Sequence, residues 1–218
     1  MSRVYIDGHP AEVISLGGST ELSFITEIKQ ECLRENLPDP TPVSVTFTKD
    51  VKYAFVACGI DDNINDNQYV TFNGTPYGLT NFETHGIVKV PENKILTGLY
   101  PYSDGGAYFD YLGAIGMNRL PREFAFRVTT DRGTNQTLTF DKVYTHLAIF
   151  NAFSHTRDGS ITVQLNGTQL TYTTLPSMYG RYTYYGMNEI ETDTATLNFV
   201  YSTSMSANKL IVFAYNDD

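Results

Sequence analysis

The feature that most constrains the fold is an Asn-Gly pair between two short alternating segments. Residues 161–165 read Ile-Thr-Val-Gln-Leu, Asn166-Gly167 follows, and residues 168–174 read Thr-Gln-Leu-Thr-Tyr-Thr-Thr. Asn-Gly is the preferred centre of the type I′ turn, whose two central residues have positive φ and whose twist matches that of paired strands. The sequence therefore predicts a β-hairpin here, and Asn73-Gly74 predicts a second one.

From Val43 onward, most segments show the two-residue alternation or the short apolar run of a β-strand. Roughly ten or more strands at regular spacing favour an all-β fold, an antiparallel β-sandwich that is jelly-roll-like. Residues 144–150 read as a central strand buried on both faces, and residues 123–130 are predicted to pair with 136–140 across a turn. No repeat of fixed period is visible, which argues against a solenoid.

The first 42 residues have a different pattern. Apolar side chains at helical spacing predict one helix from about Thr20 to Asn36, although alternation in its first half leaves a strand open there. Three prolines between residues 38 and 42 make a stiff connector. We therefore predict an N-terminal docking or oligomerisation segment over residues 1–42 and a β-sandwich domain over residues 43–218.

Two segments, 95–122 and 178–186, are so rich in Gly and Tyr that we interpret them as long loops. Tyrosine combines a flat apolar face with a hydroxyl group at a small entropic cost, which suits it to recognition. Packing at a subunit interface and stacking on a sugar are both open, and the absence of Trp weakens the second. The predicted contact residues are Tyr100, Tyr102, Tyr108, Tyr111, Tyr179, Tyr182, Tyr184 and Tyr185.

Charge and hydropathy exclude several partners. The net charge is −9, and no basic stripe offsets it, so we expect no nucleic-acid binding. No stretch approaches the roughly 18 apolar residues of a membrane-spanning helix, and no basic amphipathic anchor is present. The N-terminus lacks the apolar core of a secretory signal, so we expect synthesis in a cytoplasm without export by a signal peptide. Cys32 and Cys58 are expected to be buried, reduced thiols.

The best candidate for a metal site is the segment 61–67, which supplies carboxylates and amides of the kind that Ca²⁺ binds. It fails the EF-hand template, because position 6 is Asp66 rather than Gly and position 12 is Phe72 rather than Glu. The four histidines lack zinc-ligand spacing. We therefore predict no metal and no cofactor.

No motif for nucleophilic catalysis is present. His155, Asp158 and Ser160 share one loop, whereas triad members come from separate elements, and no Gly-x-Ser-x-Gly elbow occurs. Glycoside hydrolysis needs two carboxylates at a fixed separation. Acids near the Tyr-rich segments keep that reaction open as an alternative, but we predict that the chain is not an enzyme. These acids are Asp104, Asp110, Glu189 and Glu191.

The leaderless start, the proline connector and neutral strands such as residues 195–201 resemble virion proteins of tailed bacteriophages, such as head fibres, decoration proteins and tail or baseplate components. The resemblance implies a non-enzymatic structural or appendage protein that assembles particles, decorates a capsid or attaches to a host. Its partners would be other virion proteins and itself, as a homo-oligomer such as a trimer, and its location the virion. A carbohydrate-binding module for a cell-surface glycan is the alternative.

Overall fold

The computed structural model describes residues 5–6, 9–10, 25–31, 42–61, 68–79, 83–101, 108–129, 133–155, 161–176, 182–205 and 207–216. These residues form strands and turns, so the all-β prediction is confirmed for them, and they include no helix that could cross a membrane. The first ten strands are β1 (Tyr5–Ile6), β2 (His9–Pro10), β3 (Ile25–Glu31), β4 (Val43–Thr46), β5 (Tyr53–Asp61), β6 (Tyr69–Phe72), β7 (Thr75–Gly78), β8 (Glu83–Lys89), β9 (Ile95–Leu99) and β10 (Tyr108–Met117). The others are β11 (Glu123–Thr129), β12 (Gly133–Thr139), β13 (His146–His155), β14 (Val163–Leu165), β15 (Thr168–Leu170), β16 (Thr173–Pro176), β17 (Tyr182–Glu191), β18 (Thr196–Met205) and β19 (Ala207–Asn216).

Apart from the small hairpin β1–β2, the described strands form four antiparallel sheets. Sheet 1 has the order β3-β10-β5-β8, and sheet 2 has the order β4-β9-β6-β7. Sheet 3 has the order β11-β19-β13-β17-β16, and sheet 4 has the order β12-β18-β14-β15. The Asn-Gly pairs join β6 to β7 and β14 to β15, so both predicted hairpins are confirmed.

The strand order is the same in two successive parts of the chain. The first unit, β3 to β10, forms sheets 1 and 2, and the second unit, β11 to β19, forms sheets 3 and 4. In each unit the first strand pairs with the last, the last with the third, and the second with the next to last. The one addition is β16, which extends sheet 3 beside β17. The chain therefore contains one topology twice.

The four sheets lie in the layer order 2-1-3-4. One core cluster lies between sheets 2 and 1, with Val45 and Leu96 facing Val56 and Leu112. A second lies between sheets 3 and 4. A third joins sheets 1 and 3, and therefore joins the two units. Sheets 1 and 3, the inner sheets, are covered on both faces, whereas sheets 2 and 4, the outer sheets, each have one face directed away from the core.

Strand β13 shows how the inner sheets are built. Leu147 and Ile149 belong to the core between sheets 3 and 4, while Ala148 and Phe150 belong to the core between the two units. Successive side chains of a strand point to opposite faces, so a strand covered on both sides needs a continuous apolar run. The prediction of a central strand buried on both faces is confirmed here.

The predicted helix at Thr20–Asn36 is wrong for residues 25–31, which form β3; the rest of it lies outside the described residues. Six residues of β3, from Ile25 onward, pair with β10, so hydrogen bonding to the rest of the sheet outweighs a weak helical periodicity. The predicted boundary at residue 42 lies between β3 and β4, two strands of the same unit. Folding of residues 43–218 by themselves stays a prediction.

The predicted pairing of residues 123–130 with 136–140 is wrong. Strand β11 pairs with β19 in sheet 3, and β12 pairs with β18 in sheet 4. The chain crosses from an inner to an outer sheet between these strands, as it does between β3 and β4. Local turn signals cannot distinguish such a crossing from a hairpin, because both need a short polar connection.

The loop interpretation of segments 95–122 and 178–186 is also wrong for most of their described residues, which form β9, β10 and much of β17. Gly113, one of the glycines that suggested a loop, has a packing role. A Cβ atom at Gly113 in β10 would lie 2.2 Å from Cε1 of Phe150 in the other unit. Glycine in a strand commonly marks such a close approach.

Candidate functional site

The predicted contact tyrosines do not form two exposed loops. Tyr100 and Tyr111 are buried, with 3% and 5% of their surface exposed. The backbones of Tyr108, Tyr182, Tyr184 and Tyr185 lie in strands β10 and β17. Tyr102 and Tyr179 lie outside the described residues. Contact by the six tyrosines other than Tyr100 and Tyr111 stays a prediction.

The two described tyrosine side chains have structural roles. The Tyr100 hydroxyl donates a hydrogen bond to Oε1 of the buried Gln68 within the first unit. The Tyr111 ring covers Gly59, where an added Cβ would lie 2.5 Å from Cε1 of that ring. Both side chains therefore fix the packing of sheets and offer no surface to a partner.

Aromatic rings hold the two units together. The Phe55 ring of β5 stacks on Phe213 of β19 with centroids 4.6 Å apart, and on Phe126 of β11 at 5.1 Å. Phe150 of β13 meets Phe55 edge-on at 5.2 Å. Rings at such distances add about 0.5–1.5 kcal/mol per pair beyond the burial of their area. The units are thus joined by an aromatic core, which makes the four layers one block.

A histidine ring of the first unit borders this core. The His85 ring of β8 lies 5.1 Å from the Phe126 ring of the other unit. Burial lowers the pKa of His85 below its usual value, because the apolar surroundings disfavour the imidazolium form. The contact between the two units is consequently more stable when His85 is neutral.

A small, mainly apolar pocket lies between the units. Asn151, which is 5% exposed, borders it, but the hydrogen bonds of its side chain stay within the second unit: it accepts one from the Tyr201 hydroxyl at 3.2 Å and donates one to the Lys209 carbonyl at 3.2 Å. The cavity beside it measures about 10 Å³ and is lined by residues of β10, β13 and β17. That volume suits a single water molecule and is far below the roughly 300 Å³ of a ligand pocket.

Among the described carboxylates, Glu27 of β3 accepts the most hydrogen bonds, and its role is structural. It accepts hydrogen bonds from the Thr48 amide at 2.7 Å, the Thr48 hydroxyl at 2.8 Å and the Lys49 amide at 3.2 Å, and pairs with Lys29 at 2.8 Å. Burial raises the pKa of Glu27, but the bonds from Lys29, Lys49 and Thr48 outweigh it and lower the pKa to about 2. Glu27 therefore fastens β3 to the turn after β4.

The acids considered for glycoside hydrolysis give no described catalytic pair. Glu189 accepts a hydrogen bond from the Tyr215 hydroxyl at 2.7 Å, and Glu191 is exposed. Asp104 lies outside the described residues, and only the backbone of Asp110 is described. Among the described residues no cluster of three or more His, Cys, Asp or Glu could hold a metal ion. Residues 62–67, which contain most of the calcium candidate, lie outside them.

The outer sheets carry the least expected feature. Not one residue of their eight strands is charged, although 18% of the chain is Asp, Glu, Lys or Arg. All charged residues of the four sheets lie in the inner sheets. The absence of charge from the outer sheets is unusual, because solvent-facing positions of a sheet normally hold charged residues. The charge-free strands are visible in the sequence, but their common position on two outer layers is not.

The outward face of sheet 4 is defined by a row of exposed residues. One row crosses its four strands through the aligned positions of Asn135, Val200, Gln164 and Gln169, all exposed. Next to it, the Thr137 hydroxyl donates to Oδ1 of Asn198 at 3.0 Å. Val200 lies at the centre of this row with 43% of its surface exposed. We call this surface the sheet 4 face.

Comparisons with known proteins establish no family. No family model matches the chain, and no curated protein matches it. Among solved structures, wild-type BuGH86 and a variant of it, each in complex with neoagarooctaose, are similar at 12% identity, with TM-scores of 0.29 and 0.28. The matches cover 84% and 82% of this chain but only 32% and 30% of those chains. At these TM-scores the similarity carries no argument about function.

Proposed function

We propose that the chain is a non-enzymatic structural or appendage protein of a phage virion, which acts in particle assembly, capsid decoration or host attachment as repeated copies, such as a trimer. The observation that carries the proposal is the duplicated eight-strand unit. Each unit would be a jelly roll, the two-sheet fold found in viral capsid and lectin domains.

The strand pairing supports the jelly-roll assignment. In a jelly roll a long hairpin rolls up, so that strand 1 pairs with 8, 2 with 7, 3 with 6 and 4 with 5. The first unit has these four pairs as β3 with β10, β4 with β9, β5 with β8 and β6 with β7. The second has them as β11 with β19, β12 with β18, β13 with β17 and β14 with β15.

The packing of the units supports a structural role. The third strand of the first unit meets the eighth of the second through Phe55 and Phe213, and the eighth of the first meets the third of the second through Gly113 and Phe150. This reciprocal contact resembles a two-fold interface made within one chain. It uses the inner faces for cohesion, so in the described part of the chain the outer faces, turns and sheet edges are left for partners.

Labelling of intact particles would test the proposal. Antibodies against the purified chain should decorate phage particles from a culture that expresses it, at regular positions seen by electron microscopy. The chain should also comigrate with these particles in a density gradient, and a particle preparation lacking its gene serves as the control. Recovery of the chain entirely outside the particle fraction would contradict a virion role.

Carbohydrate binding is the second candidate function, and one observation favours it. Tyr69 of β6 is 36% exposed on the charge-free sheet 2, next to the half-buried Thr71 in the same strand. A ring beside hydroxyl groups on an uncharged surface suits stacking against a sugar. Binding to a glycan array by the wild type, with loss of the signal in Tyr69→Ala and its retention in Phe124→Ala, would favour this function.

A further inference from the structure

We propose that the sheet 4 face is a self-association surface, which packs against the same face of a second copy of the chain. The inference rests on the proposed function only in assuming that the protein works as repeated copies. It places the contact on the outer sheet of the second unit instead of the tyrosine-rich segments.

Removal of water from the sheet 4 face should cost little free energy. Burial of an unpaired charge is costly, and the cores of protein interfaces are depleted in charged residues. Strands β12, β14, β15 and β18 contain no charged residue, and Val200 presents exposed apolar surface at the middle of the face. Two such faces can therefore meet without burying a charged residue of their strands.

The face is also self-complementary, which favours a second copy of the chain as its partner. The exposed polar side chains of the face carry amide and hydroxyl groups, as in Asn135, Gln164, Gln169 and Thr137. These groups both donate and accept hydrogen bonds, so a face made of them is complementary to its own copy. A carboxylate or ammonium face would repel its copy and require a partner of opposite charge.

The position of the charges is the third argument. The chain has a net charge of −9, so two copies repel each other wherever their charged surfaces approach. The charged residues of the four sheets lie in the strands of sheets 1 and 3 and not in those that form the sheet 4 face. Contact between two sheet 4 faces keeps these charges apart, whereas contact through the inner-sheet edges does not. An uncharged outer layer therefore lets a second copy approach through this face without charge repulsion.

Sedimentation equilibrium of the full chain tests the proposal, with Val200→Lys as the disrupting variant. Val143→Lys is the matched control, because Val143 is 42% exposed, against 43% for Val200, but lies on the turn between β12 and β13. We expect the wild type and Val143→Lys to form a species of twice 24.4 kDa at micromolar concentration. Val200→Lys should weaken this association by about 100-fold or more, because each copy would bury a lysine against its like.

A second variant, Gln164→Lys, separates a local effect of Val200 from an effect of the face, and it should weaken association in the same way. The circular dichroism spectrum should be the same for each variant and the wild type, since both sites are exposed, whereas the melting temperature of the lysine variants should be lower to the extent that association stabilises the wild type. A wild type that stays monomeric, or an oligomer unaffected by both lysines, would overturn the proposal. A lysine-insensitive trimer would do so while leaving the virion role intact, because a trimer uses heterologous contacts.

Discussion

Asn73 and Asn166 make the same two hydrogen bonds at equivalent positions of the two units. The Asn73 amide donates to the Thr97 carbonyl at 2.8 Å, and its Oδ1 accepts from the Thr97 amide at 2.9 Å. Asn166 makes both contacts with Asn198, each at 2.9 Å. Their φ angles are 49° and 47°. Each asparagine thus ties the turn between the fourth and fifth strands to the seventh strand of its own unit.

The equivalence predicts equal costs in the two units. Asn166→Ala should destabilise the protein by about 2 kcal/mol, with about 1 kcal/mol from the lost side-chain hydrogen bond and about 1 kcal/mol from the left-handed backbone. Asn73→Ala should behave alike, because the further hydrogen bond from Asn73 Nδ2 to the Lys89 carbonyl is long, at 3.4 Å, and therefore weak. Urea denaturation measures both, and Asn166→Gly, which tolerates the positive φ, should lose only the hydrogen-bond part. Unequal effects of the two alanine variants would contradict the structural equivalence.

A methyl group added between the two units should lower the free energy of unfolding. Gly113→Ala places a Cβ 2.2 Å from the Phe150 ring and 2.7 Å from Cε of Met187, so the inner sheets must separate or the side chains must leave their rotamers. We expect a loss of about 1–3 kcal/mol in urea denaturation. Gly78→Ala is the control, because no atom lies within 4 Å of its added Cβ. Equal stability of the two variants would show that the inter-unit contact is looser than described.

Stability should decline in mild acid because of His85. Its pKa is lowered in the folded state by burial, so the unfolded chain binds the proton more readily. The stability contributed by neutral His85 is therefore complete above the unfolded value of about 6.5 and is lost as the pH falls toward the folded pKa. Melting temperatures between pH 8 and pH 5 should fall further for the wild type than for His85→Phe. Parallel pH profiles for the two proteins would rule out this role.

A second pH effect should come from Glu27, at lower pH. Its folded pKa of about 2 lies below the ordinary value of 4.5, so its contribution is complete above pH 4.5 and is lost as the pH falls toward 2. Glu27→Gln should cost about 1–2 kcal/mol at pH 7, because an amide cannot accept all the bonds of the carboxylate. Glu92→Gln makes the same charge change on an exposed turn and should leave urea stability nearly unchanged. A similar loss in both variants would attribute the effect to net charge.

Removal of metal ions should have no effect on stability. We predict that no metal is bound, since segment 61–67 fails the EF-hand template. Treatment with a chelator should leave the melting temperature unchanged. A fall of several degrees that Ca²⁺ restores would contradict the prediction, because a ligand bound only to the folded state stabilises it.

Local sequence determined the strands, because alternation and turn chemistry act over a few residues. The Asn-Gly hairpins and the two-sided strand at residues 144–150 could be predicted in this way. Strand β3 could not be predicted in this way, because its weak two-residue alternation competes with a helical spacing of apolar residues. Its pairing with β10 decides between strand and helix. The glycines of β10 suggest a loop for a similar reason. Phe150, which fills the space at Gly113, is distant in sequence, so the close approach that requires a glycine there is not visible locally.

Only the tertiary structure revealed the duplication and the charge-free outer layers. The two units share strand order but no visible sequence period, because a topology requires only that apolar residues face inward and that turns fall at suitable places. Asn73 and Asn166 are 93 residues apart in the printed sequence and become equivalent only once each is bonded to a seventh strand. Likewise, uncharged strands at separate places in the chain become one surface when long-range pairing brings them side by side. Such pairing depends on the whole chain, so no local pattern of residues encodes it.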